Sequence, residues 1–276
     1  MICRPSFRRA SASFAAVAER SDSIRRLLKP MGTIRPWVGA VVKYRYMLSV
    51  MCGRATYKLT WEEIVRLYRL TLDQPAVNTR PRYNVCPTTT IDTIVGHDGK
   101  RALVPMRWGL IPSWWSKPLK ELRLATFNAR AETVATKPFF RGPFKRTRCL
   151  IPVSGYFEWQ NTPSGKQPWY FTARDGSPAL TVAGLWDEWK SPETGKPLKS
   201  CTMIITEPND FLAEVHDRMP VLLAEKDFEP WLQAEAGIEL LKPAPNDFLQ
   251  KWPVSKRVNS SRASDDDQTL IDPVPL

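Results

Sequence analysis

Proline and glycine, 25 and 13 residues of 276, break this chain into short runs too often for a regular βαβ succession. Between the breaks the pattern is mostly strand. Thr90–Val95 and Ala102–Met106 flank His97-Asp98-Gly99-Lys100 and read as a β-hairpin. Further strands are expected at Arg148–Val153, Trp169–Thr172, Ala179–Leu185 and Cys201–Thr206. Thr60 and Glu63 form a capping box at Trp61–Leu70, where Ile64, Leu67 and Tyr68 share one helical face. Short helices are expected at Asp210–Val215 and Asp227–Gln233, and there is no internal repeat. The expected fold class is α+β, a single strand-rich mixed domain over residues 51–258. Residues 259–276, with the Asp265-Asp266-Asp267 run, are expected to form a partly ordered tail.

Residues 1–50 stand apart. They are rich in Arg and Ser, poor in acids and without a sustained amphipathic or β pattern, and are expected to be a disordered basic extension. Three readings compete: a transit-like presequence, a cleavable propeptide, or upstream sequence from a start codon placed too early. Met31, Met47 and Met51 are internal alternatives, and the lack of a signal-peptide apolar core favours the misplaced start. The net charge of +12 suggests an anionic partner such as nucleic acid. About +8 of it lies in residues 1–50, however, which leaves the remainder at about +4. Charge alone therefore does not establish DNA binding. Five cysteines (Cys3, Cys52, Cys86, Cys149, Cys201) without C-x-x-C spacing read as free thiols in a reducing compartment. With only His97 and His216, a multi-histidine metal site is not expected, nor is any cofactor. No run approaches the ~18–20 apolar residues of a transmembrane helix.

Chemistry concentrates at Met51-Cys52-Gly53-Arg54, where the regular pattern starts. Removing the methionine would give Cys52 a free amine beside its thiol. Such a 1,2-aminothiol condenses with an aldehyde to a Schiff base, which the thiol closes into a thiazolidine. An α-amino group has a pKa of about 7.7–8.0, so a useful fraction is nucleophilic at neutral pH. Three more segments accompany it: FNARAET at Phe127–Thr133, GYFEW at Gly155–Trp159 and HDRMP at His216–Pro220. RYNVCPT (Arg82–Thr88), RWGLIPSWW (Arg107–Trp115), VNSSR (Val258–Arg262) and LIDPV (Leu270–Val274) complete the set.

In order and spacing these motifs resemble the SRAP family, the abasic-site processing proteins also described as SOS-response-associated peptidases, over residues 51–274. The resemblance implies a barrel-like sheet with surrounding short helices. It implies that Cys52 attacks the ring-opened aldehyde of an abasic site in single-stranded DNA and forms a stable thiazolidine crosslink. Asn128 would hold the sugar-derived part of the adduct, and Glu158 and His216 would be the acid–base groups. The imine also permits lyase activity, and the family's proposed autoproteolysis would be a route to a free Cys52. Abasic single-stranded DNA is the implied partner, for a monomer in a bacterial cytoplasm that joins the nucleoid when engaged on DNA.

The residue types suit these roles independently. A carbinolamine needs an acid to release water, and partial desolvation between Phe157 and Trp159 would hold the Glu158 pKa near neutral. A histidine near pKa 6.5 suits hemiacetal opening. Taken singly, a glutamate between aromatics is usually a solvent-facing strand residue, a histidine after a helix a cap, and an asparagine a turn residue. For DNA binding, Trp114 and Trp115 offer stacking platforms. Arg54, Arg130 and Arg218 each follow a proposed catalytic residue by two positions and would bring phosphates, with Asn84 beside them. Core packing is the competing reading for the tryptophans. Cys86, Cys149 and Cys201 are expected to be packed spectators. Two other functions stay open: a thiol peptidase using Cys52, His216 and Glu158, and a non-covalent single-stranded DNA binder.

Overall fold

The computed structural model describes residues 52–71, 80–97 and 99–276; the basic extension expected at 1–50 lies outside the described residues. Among the described residues twelve strands are formed: β1 Ala55–Tyr57, β2 Arg82–Val85, β3 Thr90–His97, β4 Lys100–Trp108, β5 Asn128–Arg130, β6 Arg148–Val153, β7 Gly155–Thr162, β8 Gly165–Ala173, β9 Leu180–Lys190, β10 Pro197–Thr206, β11 Met219–Pro220 and β12 Leu249–Pro253. The helices are α1 Trp61–Tyr68, α2 Arg141–Arg146, α3 Asp210–Ala213 and α4 Phe228–Leu232.

Strands β10, β4, β3, β6 and β9 pair in turn, and β9 pairs back to β10, which closes a five-stranded barrel. Closure removes the sheet edges that short strands would otherwise expose. β5 and β11 attach to β10. A second sheet runs β12-β8-β7-β1-β2. The expected hairpin forms in register from Thr90↔Arg107 to His97↔Lys100. At α1 the Thr60 side chain accepts from the Glu63 N–H and the Glu63 carboxylate from the Thr60 N–H. The helix stops at Tyr68, earlier than expected, because Arg69 turns left-handed (φ 49°) and ends it.

β6 is buried at every position and β9 along most of its length, so both faces carry apolar side chains, as barrel strands covered inside and out must. A smaller cluster of Phe157, Tyr170, Val254, Val258 and Leu270 lies under the C-terminal residues. Those residues are fastened to β2. Asp265 accepts from Arg80 and Arg82 at 2.8 and 2.9 Å, and its carbonyl accepts from the Tyr83 N–H at 2.6 Å.

β7 does most to place the site, and its first residue has to be glycine. A Cβ on Gly155 would run into the Tyr170 hydroxyl and lie 2.6 Å from the Phe171 carbonyl oxygen. Gly155→Ala is expected to destabilise the fold by roughly 2–4 kcal/mol, read as a lower midpoint in urea denaturation with an unchanged slope.

Candidate active site

β1 pairs antiparallel with β7 (Ala55↔Tyr156, Thr56↔Gly155), and the Phe157 N–H donates to the Arg54 carbonyl at 3.0 Å. This pairing carries Cys52, three residues before β1, onto Glu158. The Cys52 backbone N–H donates to Glu158 Oε1 at 2.8 Å. Cys52 itself sits at φ 33°, a left-handed conformation that costs a non-glycine residue on the order of 1–3 kcal/mol. Asn128 opens β5, held by the pairing Met203↔Asn128, and its Nδ2 donates to the Cys52 carbonyl at 3.5 Å. His216 follows α3, and its Nε2 stands 3.8 Å from Glu158 Oε2. The other ring nitrogen accepts from the Arg218 N–H at 3.2 Å, with Asp217 Oδ1 also at 3.2 Å. The four residues expected to be catalytic thus come from four separate stretches of chain and meet at one point.

Glu158 is not the solvent-facing strand residue its motif ordinarily suggests: it is 0% exposed. Burial pushes its carboxyl up to about 8, against the hydrogen bonds from Cys52 that favour the ionised form. Burial also lowers the His216 imidazole below its ordinary value. Near neutral pH the site therefore holds a protonated carboxylic acid beside a neutral imidazole, an acid and a base in one apolar setting. The Cys52 thiol is pushed well above its ordinary value, by burial first and the Glu158 charge second.

The residues expected to bind DNA fall into two groups. Arg54 Nη1 donates to Asn84 Oδ1 at 2.5 Å and to the Val258 carbonyl at 2.8 Å, and its guanidinium lies 5.7 Å from the Trp159 ring centroid. Asn84 in turn donates to the Ala263 carbonyl at 2.7 Å. Arg218 is ion-paired with Glu132, and Arg130 is exposed at the end of β5. Trp114 and Trp115 form a separate aromatic group with Phe139, in which Trp114 is 55% exposed and Trp115 half-buried. They sit on a loop rather than a strand, which lets one indole turn outward while the next packs. Cys149 and Cys201 are buried in the core, whereas Cys86 is half-buried, its thiol donating to the Asn84 carbonyl at 3.4 Å. Sequence reading missed Trp159, Glu132 and Tyr156. Trp159 and Tyr156 were visible in the GYFEW segment, but aromatic residues in a strand read first as core packing. Among the described residues no cluster of three or more His, Cys, Asp or Glu could hold a metal, and no helix is long and apolar enough to cross a membrane.

A closed β-barrel bearing a buried cysteine whose backbone nitrogen and thiol both meet one buried carboxyl defines a class of protein. The chain belongs to the SRAP (SOS response associated peptidase) family, whose model matches residues 51–261. Similar proteins include the abasic site processing protein YoqW of Bacillus subtilis (strain 168), 35% identical over 218 residues that span 77% of this chain and 96% of that protein. The abasic site processing protein HMCES of Gallus gallus is 32% identical over 231 residues, covering 71% of this chain and 67% of its own. A crystal structure from Bacteroides thetaiotaomicron superposes with a TM-score of 0.71 at 24% identity, over 81% of this chain and all of that one. One from Bordetella bronchiseptica gives 0.62 at 25% identity, over 74% and 100%.

Proposed function

We propose that this protein processes abasic sites in DNA, and that it does so by covalent capture of the sugar aldehyde in single-stranded DNA through Cys52. The names of its relatives support the first part. The observation that carries the second is the 2.8 Å hydrogen bond from the Cys52 nitrogen to Glu158. With Cys52 as the first residue, that nitrogen is an amine. It attacks the aldehyde carbon, the carbonyl oxygen takes a proton from Glu158, and the nitrogen returns one of its own to Glu158, giving a carbinolamine. A second protonation releases the hydroxyl as water and leaves an imine. The thiol sulfur then bonds to the imine carbon while its proton passes to nitrogen, so aldehyde plus aminothiol becomes thiazolidine plus water. A carboxyl near 8 is matched to donating and retrieving protons at neutral pH. His216, neutral and 3.8 Å away, suits the proton transfers of sugar-ring opening. The same imine acidifies the adjacent carbon and opens a lyase route.

A thiol peptidase fits less well. Such an enzyme needs a depressed thiol pKa beside a cationic partner, and here the thiol is buried and raised. Arg54, Arg130 and Arg218 supply phosphate contacts in this reading, Asn84, buried and bonded to Arg54 and Ala263, positions Arg54, and Trp114 and Trp115 supply base stacking. Residues 51–258 are the catalytic and DNA-binding domain, and everything before Cys52, Met51 included, must be absent or removed for the amine to exist.

The test is protein begun at Met51, mixed with single-stranded DNA bearing one abasic site and run on a denaturing gel beside the 276-residue form. A heat-resistant shifted band from the Met51 form, and from the long form only when its leader is shortened, is the expected result. No band from either form would overturn the proposal and leave simple DNA binding or peptidase action.

A further inference from the structure

Two buried polar atoms near Cys52 have no hydrogen-bond partner among the described residues: Glu158 Oε2 and the hydroxyl of Tyr156. Tyr156 precedes Glu158 by two positions on β7, so both side chains leave the same face of the strand. Its ring lies flat against Phe171, with centroids 5.1 Å apart and planes at 9°, and the residue is 3% exposed. Burial raises its phenol, and the ionisable groups next in effect on its hydroxyl are Cys52 and then Glu158. An unpaired buried hydroxyl loses its hydration with no hydrogen bond to replace it. Phenylalanine would give the same stack on Phe171 without that cost, so packing does not account for the oxygen.

Substrate chemistry accounts for it. Opening the sugar ring of an abasic site frees two oxygens: the aldehyde, which leaves as water, and a hydroxyl on the carbon that had closed the ring. That second oxygen enters a site with little water and needs a partner. Resting on the reading above, we propose that Tyr156 is a substrate-contacting specificity residue, whose hydroxyl donates a hydrogen bond to the hydroxyl freed by ring opening while Cys52 holds the aldehyde carbon. Held flat by Phe171, the donor is oriented before the substrate arrives, and an aldehyde without that hydroxyl leaves it unpaired. Sites built around a polar contact discriminate against substrates lacking it on this principle.

The experiment times crosslinking by Tyr156→Phe and by the unsubstituted protein, each as the full chain and as the form begun at Met51. Two oligonucleotides are used, one with an abasic site and one with a plain alkyl aldehyde at the same position. The variant is expected to be about tenfold slower on the abasic site, the worth of one hydrogen bond, unchanged on the alkyl aldehyde, and no less stable to heat. Equal rates on the abasic site would overturn the proposal. Equal slowing on both aldehydes would do so too, since the hydroxyl would then act on Cys52 or Glu158 instead of on substrate. Unsubstituted protein that crosslinks neither oligonucleotide would overturn the underlying reading, and this inference with it.

Discussion

Replacing Cys52 with serine is expected to abolish the denaturation-resistant DNA adduct, a loss of at least about a thousandfold, with affinity for intact single-stranded DNA unchanged within about twofold. Serine keeps the amine on Glu158 and nearly the same volume in a buried position. It removes only the atom that closes the ring. The imine still forms, but it hydrolyses when the protein is denatured. Sodium borohydride added during the reaction separates the two nucleophiles, because it reduces the imine to a permanent amine linkage. A trapped adduct with Cys52→Ser would establish that nitrogen attacks first and sulfur second. No trapped adduct would mean that sulfur is needed for capture itself. A stable adduct from the serine variant at the normal yield would end the thiazolidine mechanism.

Glu158→Gln is expected to have two effects of opposite sign. On rate, loss of the proton donor slows crosslinking by about a hundredfold or more. On stability, the variant gains as pH rises. The folded carboxyl titrates at about 8 against an ordinary value of 4.5. Below about 4.5 both folded and unfolded chains hold the proton, and the site's contribution is intact. Between 4.5 and 8 the unfolded chain releases it while the folded chain keeps it, so stability falls with rising pH. The slope vanishes above the folded value, after a total loss of about 5 kcal/mol. Glutamine has no proton to lose and should show none of this decline. Denaturation midpoints of the two proteins at pH 5, 7 and 9 would diverge progressively. The lowered carboxyls of Asp265 and Glu229 act in the opposite sense, but below their ordinary values, so they leave this window undisturbed. Parallel curves for the two proteins would show that Glu158 is ionised in the folded state and cannot serve as the acid.

The parts of the fold that sequence reading anticipated are those specified by near neighbours. The α1 capping box needs only Thr60 and Glu63, and the β3–β4 hairpin needs two apolar runs and a glycine turn. β7 was not anticipated as a strand because Gly155 to Glu158 are all buried, which erases the alternation that marks a half-exposed strand. β2, β5, β11 and β12 are two to five residues long, too short for any periodicity. The four residues at the centre of the site were named from motifs, yet no local pattern could say that Glu158 is sealed from water. That follows from β1 laying Cys52 over it, a pairing that spans 106 residues. The partners of Arg54 were hidden for the same reason.

The Arg54 guanidinium is held by the carbonyl of Val258, 204 residues further along the chain, and Asn84 beside it by the carbonyl of Ala263. In the proposed form begun at Met51, a chain made from its amino end emerges from the ribosome with Cys52 at its front and the clasp on Arg54 nearly last. For most of its synthesis the aminothiol would be an unshielded reagent among cellular aldehydes, lacking both the acid that accelerates condensation and the wall that selects the substrate. On that mechanism, taking the proton donor from β7 and the carbonyls that hold Arg54 and Asn84 from the final residues would postpone catalytic competence until translation is essentially finished. On the proposed mechanism, the long reach of these contacts would work as a timer on reactivity.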